Sequence, residues 1–121
     1  MAYQAKPAMH DIGGREAGPV DPSDHPLEPW HKLATAMSNV LGDGDHKLTC
    51  TDEARRTREA LDQESYDAGY FERQILSLRN LLIEKGILDA DDIEQRMAAV
   101  EERIAKEGRC ARISRPAMRL R

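Results

Sequence analysis

Large rings are scarce in this sequence: one Trp, one Phe and three Tyr among 121 residues. Any core it builds must therefore rest on aliphatic side chains. Cysteine is almost missing too. Cys50 and Cys110 are the two present, too few for the disulfide framework of a small secreted domain, and neither stands in a Cys-x-x-Cys metal-ligand spacing. They are read as free thiols. No apolar run is long enough to span a bilayer. No basic flank followed by an apolar stretch opens the chain, so no export signal is expected and the protein is placed in the cytoplasm. A surplus of positive charge is also lacking; the formal net charge is −4, which argues against a general nucleic-acid binder. There is no Ser-His-Asp set, no phosphate loop, no strand-like alternation and no internal repeat. His10, His25, His31 and His46 show no i, i+4 pairing, so no metal site is expected in this chain. By itself it does not carry the groups of a complete catalyst.

What is abundant is charge. A third of the residues are charged and the mean hydropathy is −0.69. The length suits one domain, and such a composition gives a core small for its surface, one that a partner often completes. The expected architecture is all-α: about four helices, a long irregular N-terminal arm over residues 1–29, a helical domain over 30–108 and a basic tail over 109–121.

The arm is rich in Gly and Pro and shows no periodicity, so it is ordered only if it lies across another surface. Pro29 fits the first position of a helix. Trp30, Leu33, Ala34, Met37, Val40 and Leu41 then mark an amphipathic helix that Gly42 stops. Thr51 is read as the cap of the next helix, with Asp52 and Glu53 in its first turn. That helix runs to about Asp62 and is short of apolar residues, with Ala54, Ala60 and Leu61 as candidates. After a polar turn, Asp62-Gln63-Glu64-Ser65, a long buried helix follows, bearing Phe71, Ile75, Leu78, Leu81, Leu82 and Ile83 on a wide stripe. Gly86 can close it in the left-handed conformation, with Ile87 folding back. Asp89 starts the last helix, on which Ile93, Met97, Val100 and Ile104 form a narrow seam of coiled-coil type. The tail holds five Arg and no acid; it could contact an acidic face, although a frayed terminus is the plainer reading.

Two groups could carry chemistry. Arg55 and Arg58 share a helix face and could bind an anion or an oxidised sulfur by forked hydrogen bonds; a solvated face paired with Asp52, Glu53 and Glu59 is the simpler reading. Tyr66 and Tyr70, spaced i, i+4 at a helix start, could wall a small polar pocket or pack as aromatic core.

Four ordered segments resemble the N-terminal half of a nitrile hydratase β subunit. They are Met9-His10-Asp11-Ile12-Gly13-Gly14 with Gly18-Pro19-Val20, Trp30 opening a helix, Asp52-Glu53-Ala54-Arg55, and Tyr70-Phe71-Glu72-Arg73 leading to Leu82-Ile83-Glu84-Lys85-Gly86-Ile87-Leu88. The resemblance covers about His10 to Met97 and implies a subunit of an enzyme that converts a nitrile and water to an amide. It implies Co(III) or Fe(III) held by a metal-bearing α-type partner through a Cys-rich motif with two oxidised cysteines. The Cys-x-x-Cys-Ser-Cys motif of that partner is absent here. It further implies that Arg55 hydrogen-bonds the oxidised cysteines, which reverses the solvated-face reading at that position. Tyr70 falls on a family tyrosine near the substrate pocket, and Tyr66 is placed with it there by the i, i+4 spacing alone. His10, Asp11, Gly13, Gly14 and Trp30 would bind the partner, around which the arm wraps. Phe71 stands where the family often has a second tyrosine, and Gln74 replaces another aromatic, which weakens the substrate contacts. The usual C-terminal β-barrel is expected on a separate chain. The alternatives are a β-type subunit of thiocyanate hydrolase, or a nitrile hydratase activator that loads metal.

Overall fold

The computed structural model describes residues 8–43, 45 and 47–107. Among them the chain is all-helical, with five helices: α1 (Pro29–Gly42), α2 (Thr51–Glu59), α3 (Gln63–Asp67), α4 (Tyr70–Glu84) and α5 (Ala90–Glu107). None is long and apolar enough to cross a membrane. The basic tail and Cys110 lie outside the described residues; Cys50 is a free, exposed thiol. Residues 8–28 contain no helix or strand.

Helix α4 is the centre of the fold. It packs most extensively on α2 and also on α1 and α3. Its buried face is Ser77, Leu78, Leu81 and Leu82, joined by Ala34 of α1, Thr57 of α2 and Leu61. The stripe is rotated from the expected one: Phe71, Ile75 and Ile83 are only half-buried, and Ser77 takes a core position. Two small polar residues enter this core because each hydroxyl is satisfied within its own helix. Thr57 donates to the Glu53 and Ala54 carbonyls, and Ser77 to that of Gln74, so neither hydroxyl is left unpaired.

The end of α4 follows the expected pattern. Gly86 takes φ 71°. Its N–H donates to Ile83 O at 2.9 Å and that of Ile87 to Leu82 O at 2.9 Å, the paired bonds of a Schellman motif. Asp89 then caps α5, its carboxylate accepting from the N–H groups of Asp91 and Asp92. Pro29 does begin α1.

Three local readings are corrected. Helix α2 is capped one residue earlier, at Cys50, whose N–H donates to the Glu53 carboxylate at 3.1 Å; it stops at Glu59 rather than Asp62. The segment expected to be a turn contains α3, because the Asp62 carboxylate caps it by accepting from Ser65 N–H at 2.7 Å. Tyr66 and Tyr70 consequently sit on two helices instead of one. Gly69 separates them at φ 145° and ψ 169°, a conformation essentially confined to glycine, and a Cβ there would run into the Glu72 carboxylate.

The apolar stripe of α1 is present but uncovered. Ala34 alone is buried on that helix, while Trp30, Leu33, Met37 and Val40 are exposed. An amphipathic pattern says which face is apolar; it does not say that the same chain covers it.

Candidate functional site

Helix α2 presents its arginines in three environments. Arg56 is held by α4: Nη1 and Nη2 donate to the two carboxylate oxygens of Glu84 at 3.2 and 2.9 Å. That fork raises the Arg56 pKa above its ordinary value. Arg58 is half-buried. Its Nε and the Gln74 Oε1 are buried without a hydrogen-bond partner, and both residues line a polar recess of about 600 Å³ beside Cys50, Ser77 and Lys85. Arg55 is exposed and makes no hydrogen bond or ion pair among the described residues. A neighbouring bond fixes the start of the helix. Lys85 Nζ lies 2.9 Å from the Glu53 carboxylate and donates to Leu48 O at 2.7 Å, and the Lys85 hydrogen bond holds the Glu53 carboxyl below the usual range. Arg55 therefore projects from a helix anchored to α4 on both sides, at Glu53 and at Arg56.

The arm reaches this region through His10. Its Nε2 lies 3.7 Å from the Glu59 carboxylate on α2, and its ring centroid is 6.5 Å from that of Tyr66. Tyr66 is half-buried, with the Arg73 guanidinium 4.5 Å above its ring, a cation–π arrangement. His10 Nδ1 is buried without a partner. Asp11 and Gly13 are exposed, and Gly14 takes φ 78° in the turn where Arg15 N–H donates to Ile12 O.

Trp30 and Tyr70 belong to a second cluster. The rings of His31 and Phe71 stack at 4.2 Å and 10°; Trp30 meets both edge-on, and Tyr70 meets Phe71 edge-on at 5.1 Å. Trp30 and Tyr70 remain exposed at the two ends of this stack. Of the residues singled out from sequence, the structure thus joins His10 to Tyr66 and links Trp30 to Tyr70 through Phe71. No hydrogen bond or ion pair joins Arg55 to either tyrosine among the described residues. Glu59, Arg73 and His31 are contacts that sequence reasoning missed; each partner lies on a different helix or on the arm, so no local spacing signals it.

Among the described residues no group of three or more His, Cys, Asp or Glu could hold a metal ion.

These features define an all-helical domain that exposes an arginine and an aromatic stack without a metal-binding group of its own among the described residues. The family model for the nitrile hydratase beta subunit, N-terminal, matches residues 7–118, and the chain belongs to that family. A β subunit is by definition one part of a heteromeric enzyme. Neither the curated proteins nor the solved structures gave a match.

Proposed function

We propose that this chain is the non-metal-binding β-type subunit of a heteromeric nitrile hydratase, in which Arg55 completes an active site shared with a metal-bearing α-type subunit. The observation that carries this reading is the family match over residues 7–118. The environment of Arg55 supports its role. Arg56 is committed to Glu84, whereas Arg55 on the same helix stands exposed and has no polar partner among the described residues. A guanidinium with no hydrogen bond or ion pair among the described residues is available to donate forked, charge-assisted hydrogen bonds to oxidised sulfur across an interface. The Co(III) or Fe(III) belongs to the partner. The arm, with His10, Asp11, Gly13 and Gly14, and the exposed Trp30 dock that partner, and Tyr70 contributes to the wall of the nitrile pocket. Tyr66 acts behind it, holding Arg73 and the start of the arm.

The test is co-expression with a metal-bearing α-type hydratase chain, with purification on a tag attached to this protein. The expected result is a metal-containing complex that converts nitriles to amides. Arg55→Lys keeps the charge and loses the planar fork, so it should assemble and bind metal yet lose about 10- to 100-fold in activity. Full activity in that variant would remove Arg55 from the site. Preferential thiocyanate turnover would move the reading to thiocyanate hydrolase, and transient binding to metal-free α chain alone would make the protein an activator.

A further inference from the structure

The last helix is left uncovered by the described residues. None of the residues of α5 is buried. Ile93, Met97, Val100 and Ile104, together with Ile87 and Leu88, nevertheless line one open groove of about 880 Å³. Steps that alternate between four and three residues are the a/d repeat of a coiled coil, with Ile93 and Val100 at d and Met97 and Ile104 at a. This register places Glu94 and Glu101 at e, and Arg96 and Arg103 at g. One flank of the seam is thus acidic and the other basic, and Arg96 and Glu101 both border the groove.

That segregation selects the occupant. In a parallel pair, a g residue faces the e residue of the following heptad on the other helix, so Arg96 meets the Glu101 of a second copy, and symmetry repeats the contact. In an antiparallel pair of identical helices, g faces g and e faces e, and every flanking contact sets like charges together. We infer that the α5 seam binds the α5 seam of a second copy of this chain, in parallel register. Asp89 also falls at a g position, opposite Glu94, but its carboxylate is turned back onto its own helix, accepting from Asp91 N–H at 2.8 Å and Asp92 N–H at 3.3 Å. The remaining charged pair, Glu102 with Lys106, lies 2.7 Å apart on the outer face of the same helix and leaves the seam free. This contact is independent of the hydratase reading, since it uses no residue of the proposed active site.

Sedimentation velocity on the full chain tests it. The unmodified protein should show concentration-dependent dimerisation. Arg96→Glu and Glu101→Arg each oppose like charges on both flanks of a parallel pair and should each weaken association by about tenfold. The double substitution should restore it, and mixing the two single variants should give a heterodimer tighter than either homodimer. A monomer at about 100 µM, or association indifferent to these swaps, overturns the proposal. Strengthening by Arg96→Glu alone overturns it in favour of an antiparallel pair, where the substitution would place opposite charges at g and g. Amide protection of residues 93–104 that appears only when an α-type chain is added overturns it in favour of a heteromeric occupant.

Discussion

Replacing Leu81 by alanine should come close to unfolding the isolated domain. Leu81 is the largest fully buried side chain among the described residues, at 1% exposure, and it lies on the α4 face in a core of few side chains. The substitution removes three carbons, each worth about 0.8 kcal/mol of transfer free energy, or about 2.5 kcal/mol together. The space left behind adds to this, because neighbours relax only in part, so a total of about 3 to 4 kcal/mol is expected. Domains of this size are stable by about 5–15 kcal/mol, and a small core argues for the lower end. With a urea m-value of about 1.5 kcal/mol per M, a loss of about 3 kcal/mol lowers the midpoint by about 2 M. Urea titrations followed by helical circular dichroism at low protein concentration would measure this. Leu33→Ala is the control: the same chemistry at a position 61% exposed on α1 should cost no more than about 0.5 kcal/mol. If the two variants unfold alike, α4 is not the centre of the core and the packing described above is wrong.

Gly69→Ala should cost about 1–3 kcal/mol in the same titration, since alanine cannot hold that backbone conformation without strain; an unchanged midpoint would show that the α3–α4 break relaxes freely. Acid should destabilise the fold through Glu53 and Asp62. Lys85 holds the Glu53 carboxyl low, and Ser65 N–H does the same for Asp62. Folded values below the unfolded ones give stability that is present above the ordinary carboxylate range, near about pH 4, and lost as pH falls through it to the depressed values. Glu53→Gln combined with Asp62→Asn should flatten the acid limb of the stability profile, and an unaltered limb would contradict the assignment. His10→Ala should speed hydrogen exchange of the Asp11 and Arg15 amides, which close turns with Ala8 O and Ile12 O, while leaving global stability unchanged. Slow exchange in that variant would mean that the contact with Glu59 and Tyr66 does not hold the start of the arm.

The parts of this fold legible in the sequence are those decided by local backbone chemistry. Proline at position 29, the left-handed Gly86 and the capping Asp89 each act within a turn or two, and each stands where it was expected. The parts that were not legible depend on residues distant in the chain. The rotation of the α4 stripe toward Ser77 follows from how α2 approaches, and the division of labour among Arg55, Arg56 and Arg58 follows from Glu84, which lies beyond the reach of any spacing rule on α2. Gly69 was visible, but nothing nearby in the sequence showed that it would take a positive φ and so divide the two tyrosines. The resemblance picked out Arg55 among its neighbours, and composition alone favoured the blander solvated face.

The link between α4 and α5 has a consequence for how this protein could change over generations. Its hydrogen bonds belong to one helix end or the other: the Gly86 and Ile87 amides return to α4, and the Asp89 carboxylate serves α5. The heading of α5 is therefore written into a few backbone torsions and not into the core. Inserting or deleting one residue between Gly86 and Asp89 would turn the apolar seam by about 100° around its own axis without moving Leu78, Leu81 or Leu82. A lineage could in this way trade one associate for another at α5 in a single step, with the rest of the domain left in place.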